Sequence, residues 1–125
     1  MSIKIQGAKQ SPRYEDKIWY WYYGNTFTLS WKLLLKVNGI PMDIKDTDYV
    51  TFTFNQGCRT VYTFTCENII DNTCILDFTQ EISKKFRPGD YTFCIDFYER
   101  IDENSIRRTT IGTAEQNRII VEECH

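Results

Sequence analysis

Few side chains in this chain are equipped for covalent or metal chemistry. The single histidine, His125, is the last residue, so a Ser-His-Asp or Cys-His pair would have to be assembled on a chain end. Cys58, Cys66, Cys74, Cys94 and Cys124 supply thiols, yet no C-x-x-C occurs and their spacing matches neither a zinc ribbon nor a zinc finger. Cys124-His125 adds only two ligands. The acids Asp43, Asp46 and Asp48, and the pair Asp102 and Glu103, fall in polar stretches where carboxylates are ordinarily solvated turn residues. A glycosidase needs two acids facing each other across a cleft, and a calcium loop needs the glycine and distal glutamate that the first cluster lacks. These residue types argue against an enzyme, and neither a metal nor a cofactor is expected.

Recognition chemistry is better represented. Residues 18–23 read IWYWYY. On a strand, Trp19, Trp21 and Tyr23 share one face while Ile18, Tyr20 and Tyr22 share the other. Such a run is either a strand buried between two layers of its own domain or one with a face docked on a neighbouring subunit, because Trp and Tyr are frequent interface anchors. The rings of Trp19, Tyr20, Trp21, Tyr22 and Tyr23 also suit stacking against sugars, provided they are exposed beside polar side chains, so carbohydrate binding is the rival reading. Arg107 and Arg108, adjacent and therefore on opposite faces of one strand, are either a rim contact or a plain solvated pair.

These residues need a scaffold, and the hydrophobic pattern predicts an all-β one. Thr26 to Val37 alternates, with Phe27, Leu29, Trp31, Leu33, Leu35 and Val37 on one side and Leu34 alone breaking the polar side. This is expected to be the central strand, with Leu34 touching something outside its sheet. Further period-two runs place Val50, Phe52 and Phe54 on one face, Tyr62, Phe64 and Cys66 on another, then Cys74, Leu76 and Phe78, then Tyr91, Phe93, Ile95 and Phe97, and finally Ile119 and Val121. Cys58, Cys66, Cys74 and Cys94 all fall in these expected strands as small hydrophobes. Asn38-Gly39, Gln56-Gly57, Asp71-Asn72 and Arg87-Pro88-Gly89-Asp90 punctuate them. Thr79 suits an N-cap for one helical turn near residues 80–86, with Ile82 and Phe86 turned inward. Seven or eight strands spaced about ten residues apart predict a β-sandwich. Residues 1–23 read as an N-terminal arm and aromatic segment, and 24–125 as the sandwich domain.

With 125 residues the chain is large enough for one core without metal or disulfide staples. Its formal net charge of -2 argues against binding nucleic acid. No stretch approaches the roughly 18 apolar residues of a membrane span, and the N-terminus lacks the apolar core of a signal peptide, so a reducing compartment and free thiols are expected.

The order of the signals resembles a known family. Gly24-Asn25-Thr26-Phe27-Thr28, then Gly39-Ile40-Pro41-Met42-Asp43-Ile44, then Val50-Thr51-Phe52-Thr53-Phe54 is similar to the first half of the immunoglobulin-like domain at the N-terminus of bacteriophage baseplate upper proteins. Leu76-Asp77-Phe78-Thr79-Gln80-Glu81 and Phe86-Arg87-Pro88-Gly89-Asp90-Tyr91-Thr92-Phe93 resemble its second half. The likeness spans roughly residues 24–122. Asn25 stands where the family usually has an acid, and Arg107 and Arg108 stand where a more apolar strand is usual. The resemblance implies an immunoglobulin-like antiparallel sandwich that works without catalysis as a virion structural protein of the capsid, neck or tail. A stand-alone copy of the domain implies an accessory or adaptor subunit, assembled in the host bacterial cytoplasm. Its expected partners are other virion proteins and copies of itself.

Overall fold

The structure, a computed structural model, describes residues 12–123. The alternating start expected at Ile3 and Ile5, as well as Cys124 and His125, lie outside the described residues. The first strands are β1 (Arg13–Glu15), β2 (Ile18–Tyr22), β3 (Phe27–Lys32), β4 (Lys36–Val37) and β5 (Ile40–Pro41). β6 (Tyr49–Gln56), β7 (Arg59–Cys66) and β8 (Thr73–Phe78) follow, then the turn α1 (Gln80–Ser83), β9 (Gly89–Asp102), β10 (Ser105–Gly112) and β11 (Arg118–Glu122).

Two sheets pack into an all-β sandwich. The larger has seven strands in the order β1-β2-β11-β9-β6-β7, with β10 also paired to β9; the smaller is β3-β8, and β4-β5 forms a separate hairpin. The extra strands beyond the expected seven or eight are two- and three-residue pieces. Pairing is antiparallel except between β2 and β11, which run parallel with Trp19 opposite Ile119 and Trp21 opposite Val121. The expectation of a purely antiparallel sandwich is corrected at that pair. Strands β2 and β11 put four inward apolar side chains into one register.

This pairing also places the aromatic run. Trp21 is fully buried and touches Phe27, Phe78 and Phe86. The boundary drawn after Tyr23 thus falls between strands that share one core. Around Trp21 the alternation is realised: Val50, Phe52 and Phe54 of β6, Leu76 and Phe78 of β8, and Tyr91, Phe93, Ile95 and Phe97 of β9 are buried. Phe54 sits within 6 Å of four other rings, Phe64, Phe78, Phe86 and Phe93, so rings from both sheets interdigitate rather than merely abut. Thr79 caps α1 by accepting the Ile82 N–H at 3.3 Å, and Phe86 beyond it is buried.

The strand read as central is shorter and more peripheral. The β3 ladder ends at Lys32: the Leu33 N–H makes one more in-register bond, to the Asn72 carbonyl at 2.8 Å, and the partner chain then turns away through Asp71 and Asn72, both with positive φ. Leu33 stays buried and Leu35 half-buried, so the period of two outlasts the ladder, whereas Leu34 is 83% exposed. β3 pairs only with β8, so its other edge has no neighbour among the described strands.

A kink at the end of β10 completes the frame. β9 uses one edge twice: residues 89–92 pair with β11 and residues 95–102 with β10. The switch occurs at Gly112, where a Cβ would lie 2.9 Å from Ile95 Cδ1 and 3.0 Å from Asn117 Nδ2. Any larger residue would have to displace the Ile95 and Asn117 side chains. The loop that follows returns to β9 through Phe93 N–H donating to Asn117 O at 3.0 Å.

Candidate functional site

The kinked loop, the β1-β2 hairpin and the end of β3 line an aromatic cleft. Asp16 and Lys17 form the two-residue hairpin turn, both with positive φ (51° and 65°), the geometry of a type I′ turn without its usual glycine. That tight turn folds Tyr14 back on Trp19, with ring centroids 5.0 Å apart, and Trp19 reaches Trp31 of β3 at 6.0 Å. Trp31 then meets Phe93 edge-on at 5.4 Å and Phe52 at 5.8 Å. A ladder of rings therefore runs from Tyr14, 55% exposed, into the buried core. Core packing fixes the inner rings in place.

The facing wall is polar. Gln116, Asn117 and the cations Lys17 and Lys32 line the cleft, around a volume of about 370 Å³. The loop carrying the amides is held by Gln116 N–H and Asn117 Nδ2 donating to the Thr113 carbonyl at 3.1 and 3.0 Å. Past Trp31 the depression continues along the seam between β3 and β10 toward Leu35 and Ile111.

A second surface lies at the end of the sandwich organised by Asn72. Its backbone has φ 52°, its carbonyl accepts from Leu33 N–H, its Oδ1 accepts from Ile44 N–H at 2.9 Å, and its Nδ2 donates to Met42 O at 2.9 Å. One residue, through its carbonyl and its side chain, thus ties together the β3 exit, the segment after the β4-β5 hairpin, and the turn before β8. On or beside these segments stand Leu34, Ile40 of β5 and Ile70, which are 83%, 69% and 81% exposed. Aliphatic side chains held that far into water are the signature of a surface awaiting cover.

The residues singled out from the sequence divide among these regions. Trp21 is core, and Trp19 is a half-buried cleft wall. Tyr20 and Tyr22 lie half-buried on the outer face of the large sheet, where Arg13 stacks over the Tyr20 ring at 4.5 Å, and Tyr23 is exposed. The five rings therefore do not form one platform. Arg107 and Arg108 do project from opposite faces of β10, and each is engaged within its own hairpin, Arg107 with Glu99 and Arg108 with Asp96 at 3.2 Å. Asp96 is buried and also accepts from Thr110 Oγ1 at 2.6 Å.

Two readings of chemically capable residues change. Asp48 is not a solvated turn acid: it is 2% exposed and accepts from Lys45 N–H at 3.0 Å and from Arg100 N–H at 3.1 Å, clamping the turn to β9. Cys58 is not in a strand but in the exposed turn between β6 and β7. Cys66 and Cys74 are buried as expected; donation of the Cys74 S–H to the Cys66 sulfur, together with burial, pushes the Cys74 thiol far above its ordinary pKa. Among the described residues no cluster of three metal-ligating side chains occurs, and no helix is long and apolar enough to cross a membrane.

Sequence reasoning missed Tyr14, Lys17, Lys32, Gln116 and Asn117 as cleft residues. Tyr14 sits in a charged stretch with no periodicity, and Asp16-Lys17 is not a recognised turn pair. No protein-family model, curated protein or solved structure matches this chain.

Proposed function

We propose that this chain is a non-enzymatic structural subunit of a bacteriophage virion, an accessory or adaptor protein that assembles with other virion proteins and with copies of itself. The observation that carries this reading is the apolar end around Asn72, where Leu34, Ile40 and Ile70 are held in water by a fixed hydrogen-bond hub. Burying one such side chain stabilises a contact by about 1.5–3 kcal/mol, so three together favour association. Two further features support it. The strand order β7-β6-β9-β11 opposite β3-β8 fits the C′-C-F-G sheet and the B-E pair of an immunoglobulin-like domain. The free edge of β3 offers a backbone template for an added strand.

The test is recovery of the chain in phage particles purified by density gradient. Wild-type protein stays with the particles, and the Leu34→Asp/Ile70→Asp variant is lost from them. Particles that lack the wild-type chain contradict the reading.

A further inference from the structure

We infer that the Tyr14–Trp19–Trp31 cleft is a binding site for an acidic carbohydrate, a sugar bearing a carboxylate. This goes beyond the assembly reading and rests on different residues. Sugar rings present C–H faces that pack on aromatic rings, and here three rings form a graded wall whose inner members are locked by Phe52 and Phe93. Hydroxyl groups need donors and acceptors opposite that wall, which the amides of Gln116 and Asn117 supply. The carboxylate is specified by charge. Lys17 and Lys32 line the cleft, and among the described residues the one acid paired with either is Asp71, 3.5 Å from Lys32, with both partners exposed and therefore weakly held. A volume of about 370 Å³ lies within the range typical of small-molecule sites.

The position of Lys17 supports the assignment. It occupies a left-handed conformation that glycine would adopt more easily, so its presence there is not explained by the turn. That conformation also provides a variant that separates folding from binding. Lys17→Gly creates a favourable Asp-Gly type I′ turn while removing the cation.

The experiment is a calorimetric titration of the full chain with a galacturonic acid oligomer and, separately, with the neutral galactose oligomer of equal length. The acidic oligomer binds, and its affinity falls as ionic strength rises. Lys17→Gly weakens that binding about fivefold or more without lowering the thermal midpoint, and Tyr14→Ala weakens it with the fold retained, since Tyr14 is half out in water. Equal binding of the two oligomers, unchanged affinity in Lys17→Gly, or no binding of either oligomer overturns the proposal. None of these outcomes depends on Leu34, Ile40 or Ile70.

Discussion

Arg13 on β1 and Glu122 on β11 form an ion pair, Nη1 to Oε1 at 2.9 Å, that spans β2 above the ring of Tyr20. The Arg13 side chain is only 10% exposed. The contact with Glu122 raises the Arg13 pKa, and the guanidinium is held between this carboxylate and the Tyr20 ring. The contact fastens the short edge strand β1, and with it Tyr14, to the body of the sheet.

Arg13→Ala is expected to destabilise the chain by about 1–3 kcal/mol, because it leaves the partly buried Glu122 charge without its partner. Arg13→Lys recovers only part of this loss, since an ammonium cannot stack as a planar guanidinium does. Denaturant unfolding of Arg13→Ala, Glu122→Gln and the double variant measures the coupling, expected at about 0.5–2 kcal/mol. Additive single effects would show that the contact is incidental.

Trp21 combines a large apolar surface with a buried Nε1–H that has no partner among the described residues. Trp21→Ala is expected to cost about 3–5 kcal/mol. Trp21→Phe is milder, because removing the unpaired donor offsets part of the lost volume. Midpoints of chemical denaturation distinguish the two. A chain that begins at Gly24 loses β1, β2 and Trp21 together and is expected not to fold, as circular dichroism would show.

Burial raises the pKa of the Tyr91 phenol above its ordinary value, and the hydroxyl donates to the Arg87 carbonyl. The folded chain keeps this proton at a pH where the unfolded chain has lost it. The contribution to stability is therefore complete below about pH 10 and is lost as pH rises through the folded pKa. Tyr91→Phe is less stable near neutrality by about 1 kcal/mol and declines less steeply in alkali. Unfolding free energies of both proteins from neutral to alkaline pH test this, and parallel curves would refute it.

The thiols should separate by reactivity. In a Cys124→Ser background, Cys58 in its exposed turn is expected to react first with a disulfide reagent and the half-buried Cys94 later. Cys66 and Cys74 react only on unfolding. Rapid modification of four thiols in the folded chain would contradict the burial of the last two.

The sandwich was legible in the sequence because its strands are half-buried. Residues 50–54, 74–78 and 91–97 alternate cleanly, and each alternation became a buried face. The limits of β3 were not legible: Leu33 and Leu35 keep the period, yet what stops the ladder is the left-handed turn of its partner chain at Asp71 and Asn72, far away in sequence. Asp48 resembled any turn acid until the amides of Lys45 and Arg100 converged on it. The aromatic run was conspicuous, but its division into core, cleft and outer face depends on the parallel pairing of β2 with β11. The cleft itself depends on a charged hairpin and a kink at Gly112, neither of which has a periodic signature. Leu34 did stand out as the apolar residue on a polar face, and it is the most exposed of the large hydrophobics described.

Sedimentation equilibrium of the purified chain across a range of concentrations, beside Leu34→Asp/Ile70→Asp, tests the assembly account most directly. The wild-type chain is predicted to associate with rising concentration, and the variant to stay a folded monomer. A wild-type chain that remains monomeric throughout, or a variant that associates equally well, would contradict the claim that the apolar end around Asn72 is an assembly surface for copies of this chain.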